Sequence, residues 1–124
     1  MPRLEKEDLL KWFQAGEKPR EKWKIGTEHE KFVFHKETFE RVGYSGKSGI
    51  SDLLNKLAHE NNWEKILEKN NTIALKDETG ASISLEPGGQ LELSGTPLEN
   101  LHQTCKETGK HLNMMKIAMK DLDL

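Results

Sequence analysis

"GTEHEKFVF", residues 26–34, decides how this chain folds. Aromatic and branched residues alternate here with charged ones, the period-two signal of a half-buried strand. On such a strand Glu28 and Glu30 share a face with Phe32 and Phe34, while His29 joins Thr27 and Lys31 on the other. Two carboxylates two positions apart lie about 6.6 Å apart at their Cα atoms, at ~3.3 Å per residue. At an effective dielectric near 20, unit charges about 7 Å apart repel by ~2.4 kcal/mol, and nearby phenylalanines add a desolvation cost. Two explanations are open: a solvated strand end, or a cation held between the side chains.

A second acidic segment follows downstream. In "EPGGQLELSG", residues 86–95, Glu92 alternates with Leu91 and Leu93 and shares its face with Gln90 and Ser94, and Glu86 ends the preceding run. Pro87, Gly88 and Gly89 fit either a bulge or a type II turn. Just upstream, "NTIALKDETGASISLE" reads as two short strands around Asp77–Gly80, a hairpin whose glycine supplies the left-handed turn residue. Four carboxylates thus lie on two strand regions. Magnesium takes oxygen ligands, few of them from protein, and leaves positions for water and phosphate. Acidic pairs on neighbouring strands suit such an ion, and phosphoryl chemistry is its usual employment. The simpler alternative is an antiparallel sheet whose outward face carries ordinary alternating charges.

Helices flank these strands. Leu9, Leu10 and Phe13 predict a short N-terminal helix before Gly16 and Pro19. Ile50, Leu53, Leu54, Leu57 and Ala58 form one helical stripe. Thr96, Pro97 and Glu99 read as the start of a third helix, with threonine as N-cap in a capping box. Its expected stripe runs through Leu98, Leu101, Cys105, Thr108, Leu112, Met115, Met119 and Leu122. That stripe continues to the last residues without a closing glycine or proline, which leads us to expect a longer protein. An α+β domain over residues 1–124 results, with an antiparallel sheet and flanking helices.

The 124 residues suffice for one domain. With 34% hydrophobic and 32% charged residues the composition is that of a folding chain, not a disordered one. A formal net charge of −2, with both signs interspersed, gives no footprint for nucleic acid or anionic membranes. The lone Cys105 and the absence of a signal-like or membrane-length segment point to the cytoplasm.

Other signals carry less. "RVGYSGKSG" lacks the first glycine of a phosphate-binding loop, where Arg41 stands, so we expect a loop whose Ser48 caps the next helix. His102 and Cys105 are two ligands, not a metal site. His29 reads as a surface or packing residue, Met114, Met115 and Met119 as core filler, and Trp12, Trp23 and Trp63 as packing anchors.

"WKIGTEHEKFVF" (23–34) together with "SISLEPGGQLELSGTPLENLHQTC" (82–105) resembles the N-terminal part of glutamate-cysteine ligases of the plant and proteobacterial type. "EDLLKWFQAGEKPREKW" and "NNWEKILEKNNTIALK" are similar to that family too, so the likeness spans nearly the whole chain but only a leading part of the family's length. It implies an ATP-dependent ligase joining the γ-carboxylate of glutamate to the amine of cysteine through a γ-glutamyl phosphate, the first step of glutathione biosynthesis. Its partners would be glutamate, cysteine and ATP, with Mg2+ as cofactor. The implied fold is similar to glutamine synthetase, a funnel-like antiparallel sheet with carboxylates pointing inward. By that resemblance Glu28, Glu30, Glu86 and Glu92 are metal ligands, Gln90 and Glu92 bind substrate, and Cys105 stands where plant members place a redox-sensitive cysteine. Its disulfide partner would lie beyond Leu124, and the isolated chain is expected to lack ligase activity. Two alternatives stand beside this reading: a related carboxylate-amine ligase with another acceptor, and a non-enzymatic module that binds a partner, or itself, through the C-terminal helix.

Overall fold

In the computed structural model, which describes residues 3–124, helix α1 (Lys6–Ala15) and a 3-10 turn (Arg20–Lys22) precede strand β1 (Glu28–Lys31). Helix α2 (Ile50–Asn61), strands β2 (Glu64–Glu68), β3 (Asn71–Lys76), β4 (Ser82–Leu85) and β5 (Leu91–Ser94), and helix α3 (Leu101–Lys120) follow. The five strands form one antiparallel sheet in the order β1-β5-β4-β3-β2. The fold is α+β, as the alternation and the helical stripes predict.

Both longer helices lie on one face of the sheet. The expected α2 stripe, Ile50, Leu53, Leu54, Leu57 and Ala58, is buried throughout. It meets Leu75, Ile83, Leu91 and Leu93 from the sheet and Met114, Met115 and Ala118 from α3. Leu53, Leu54, Leu57, Leu75 and Ile83 are fully buried, and each such side chain stabilises by roughly 1.5–3 kcal/mol relative to exposure. The opposite face carries no helix among these elements.

The turns follow their local chemistry. Asp77 Oδ1 accepts from the backbone N–H of Thr79 (2.9 Å) and Ala81 (3.0 Å), and Gly80 adopts φ +92°, so the expected hairpin joins β3 to β4. Between β4 and β5 the backbone N–H of Gly89 donates to the Glu86 carbonyl at 2.8 Å. With Pro87 second and left-handed Gly88 third, this is a type II turn, which resolves the choice left open by the sequence. β2 comes without a sequence expectation, being exposed at every position. It is joined to β3 by Lys69 and Asn70, both at positive φ, as a primed turn requires. Ile66 pairs with Ala74 but Leu67 with Thr72, so Ile73 is a bulged residue that re-aims the start of β3.

Several expectations are corrected. The α3 N-cap is Asn100, whose side chain accepts from the Gln103 N–H at 3.1 Å, and not Thr96. An antiparallel bridge between Ile25 and Leu98, with N···O distances of 2.7 and 2.8 Å, holds the chain extended past Pro97 and delays the helix. Glu99, freed from a capping box, pairs with Lys24 at 2.6 Å. The buried stripe of α3 is Thr104, His111, Met114, Met115 and Ala118. It is rotated from the expected one, leaving Leu101, Leu112 and Cys105 exposed. Met115 is already buried against α2 and the sheet, so it is not free for self-association. Ser48, at φ +60°, does not cap α2; Gly49 does, in a turn so tight that a Cβ there would lie 2.7 Å from the Tyr44 carbonyl oxygen. Trp63 packs on the core, but Trp12 and Trp23 are exposed and lie outside it, Trp23 Nε1 only closing the local turn by donating to the Lys18 carbonyl at 2.8 Å.

Candidate functional site

The uncovered face of the sheet holds the acidic residues singled out in the sequence. Pairing β1 with β5 sets Glu30 opposite Glu92 and Glu28 opposite Ser94. Pairing β5 with β4 sets Glu92 opposite Ser84. Because alternate residues share a face, Glu28, Glu30, Ser84, Glu92 and Ser94 form one polar patch, and the alternation carries on to Glu86 and Gln90 at the β4–β5 turn. Those two are joined through the backbone, the Glu86 N–H donating to the Gln90 carbonyl at 2.9 Å.

Side-chain contacts organise the patch. Gln90 Nε2 donates to Glu30 Oε2 at 2.7 Å, and Ser94 Oγ donates to Glu92 Oε1 at 2.7 Å. Each of the two central carboxylates therefore has one oxygen engaged by a neutral donor. Like charges directly opposite on adjacent strands are unfavourable, and a neutral donor beside each reduces that penalty without removing it. Among the described residues no three histidine, cysteine, aspartate or glutamate side chains stand close enough to hold a metal ion by themselves. The patch is a facing pair with acidic neighbours, not a closed cage.

At one end the patch turns apolar. Phe32 and Phe34 meet edge to face at 6.5 Å, and the Arg41 guanidinium lies 5.2 Å from the Phe32 ring centroid. Arg41 also donates to the Gly88 carbonyl, tying the loop after β1 to the tip of the acidic hairpin. This cation was not singled out in the sequence: it sits in a loop with no periodic signal. Ser84 went unmarked for a different reason, since its place opposite Glu92 depends on strand register.

The remaining candidates fall elsewhere. His29 turns to the helix side, where its ring meets His111 edge-on at 5.6 Å, in keeping with a packing role. His111 is buried, and burial first, then the charge of His29, push its pKa down to about 4. Cys105 is exposed on α3, away from the acids.

The description of glutamate-cysteine ligase family 2 (GCS2) matches residues 24–124. Glutamate-cysteine ligase B, chloroplastic, of Oryza sativa subsp. japonica is 50% identical over 121 residues, 98% of this chain and 24% of that protein. The corresponding chloroplastic ligase of Nicotiana tabacum is 49% identical over 121 residues, 98% of this chain and 22% of its own, and that of Arabidopsis thaliana is 46% identical over the same length. The chain thus spans about a quarter of the length of the curated relatives it matches. No described helix is long and apolar enough to cross a membrane. With β1, both acidic strand segments and α3 all inside the matched region, the chain belongs to glutamate-cysteine ligase family 2.

Proposed function

We propose that the acidic face formed by β1, β4 and β5 is the magnesium-holding part of a site where glutamate is joined through its γ-carboxylate to the amine of cysteine, with ATP consumed. The observation that carries this reading is the cross-strand pair Glu30 and Glu92, each steadied by a neutral donor. The donor set fits the ion: carboxylates, hydroxyls and an amide are hard ligands. Magnesium typically takes only one or two protein carboxylates beside substrate phosphates and water, so an open pair suits it better than a closed cage.

A magnesium ion held there would supply positive charge against the triphosphate, so that an anionic carboxylate could approach the γ-phosphate. Glu30 and Glu92 hold that position, and Glu28 and Glu86 add negative charge at its two ends. Gln90 fixes the Glu30 carboxylate and presents an amide beside it, a group suited to the polar end of an amino acid substrate, with Glu92 available for its ammonium. The funnel-shaped, glutamine-synthetase-like fold belongs to the same reading, since it would turn this face inward. A reducing compartment, by composition the cytoplasm, suits a chain with one exposed thiol, although the relatives cited are named as chloroplastic.

Magnesium titration of the chain followed by NMR tests the reading. Shifts confined to Glu28, Glu30, Glu86, Gln90, Glu92 and Ser94, saturable at millimolar magnesium, are expected. Shifts scattered over all carboxylates, or none at this face, overturn it.

A further inference from the structure

We propose that Glu107, on the inner side of α3, is a positioning residue for the acidic face on the other side of the sheet. The proposal rests on the reading of that face as a metal site. Glu107 Oε1 accepts two hydrogen bonds from one residue, the backbone N–H of Thr96 at 2.9 Å and its hydroxyl at 3.0 Å. Its other oxygen, Oε2, is buried and has no hydrogen-bond partner among the described residues. That oxygen occupies the space where a Cβ at position 95 would stand, so any other residue there must push the carboxylate out of its present place.

A buried carboxylate oxygen without a donor is unfavourable, and such a group calls for an explanation. Helix capping does not provide one, since Asn100 caps α3 and Glu107 lies within the helix. Nor does the extended approach to the helix need it, because the Ile25–Leu98 bridge already fixes that segment. What Glu107 grips is the end of β5. The Gly95 N–H donates to the Thr27 carbonyl at 2.7 Å, and Thr27 leads directly into Glu28. Ser94, on the other side of Gly95, is the cross-strand partner of Glu28 and donates to Glu92. One carboxylate on the helix side thus holds the short stretch of backbone from which Glu28, Ser94 and Glu92 are aimed. Partners that orient metal ligands from outside the coordination sphere commonly contribute as much as 10- to 100-fold to affinity.

The test uses Mn2+ as a paramagnetic probe of the 124-residue chain, read by line broadening at Glu28, Glu30, Glu92 and Ser94. Affinities are compared for the wild type, Glu107→Ala, Glu107→Gln and Gly95→Ala, with Ile50→Val on α2 as a variant that perturbs only the core. All are measured where circular dichroism shows them folded. The expected result is a loss of about tenfold in Mn2+ affinity for Glu107→Ala and Gly95→Ala. Glu107→Gln, which keeps an oxygen for Thr96, and Ile50→Val stay within about twofold. Should Glu107→Ala fail to fold, Gly95→Ala and Thr96→Val carry the comparison, because both weaken the grip without removing the glutamate. Wild-type affinity in the folded Ala variants overturns the positioning role alone. No site-specific broadening in the wild type overturns the metal reading, and the positioning role falls with it.

Discussion

Glu30 and Glu92 stand directly opposite each other on adjacent antiparallel strands, each with one oxygen held by a neutral donor and neither matched by a cation of the protein at that register position. A pair of this kind raises the free energy of the folded state until an ion joins it. Glu92→Gln is therefore expected to stabilise the chain in the absence of divalent ions, by roughly 0.2–1 kcal/mol as for other facing like charges. Magnesium should raise the melting temperature of the wild type and not that of the variant. A wild type unmoved by magnesium, with a variant no more stable, would contradict this.

His111 predicts a dependence on pH. Its folded pKa, about 4, lies below the ordinary value of 6.5, so between those limits the unfolded chain binds a proton that the folded chain refuses. Stability rises with pH wherever the unfolded state binds more protons. The contribution is accordingly complete above about pH 6.5 and is lost as the pH falls toward 4. His111→Phe should flatten the fall in melting temperature between pH 7 and pH 5; an unchanged slope would show that other groups govern it.

The start of α3 offers a direct comparison of two caps. Asn100→Ala should cost about 1 kcal/mol in urea unfolding, the usual loss for an N-cap. Glu99→Gln, which removes only the exposed partner of Lys24, should leave stability nearly unchanged. The reverse ranking would support a capping box centred on Thr96.

No γ-glutamylcysteine is expected from the 124-residue chain supplied with glutamate, cysteine, ATP and magnesium. The acidic face is open, and the chain spans only about a quarter of the length of the ligases it matches. Product detected by mass spectrometry above a no-protein control would refute this.

Much of this was legible in the sequence, and the gaps have identifiable causes. Period-two alternation placed Glu28, Glu30 and Glu92 on strands because side-chain direction in a strand is set locally. It could not say that Glu30 faces Glu92, since that register is set by pairing β1 with β5, a strand about sixty residues away with no turn joining the two. The α2 stripe was read correctly because one broad apolar face dominates it. The α3 stripe was misplaced by a rotation: Leu101 and Leu112 drew attention by hydrophobicity, whereas the buried side includes Thr104 and His111, polar residues that only packing brings inside. Arg41 and Glu107 are silent in the sequence because each acts on backbone outside its own element, the carbonyl of Gly88 and the amide of Thr96, and no periodic pattern records such a contact.

Helix α1 has no buried side chain, and Leu9, Leu10, Trp12 and Phe13 all stand in solvent. A segment so attached is the part a protease should clip first, leaving the sheet and its two covering helices as the resistant remnant. Resistance gained by α1 when other polypeptide is added would identify the surface on which those four side chains come to rest.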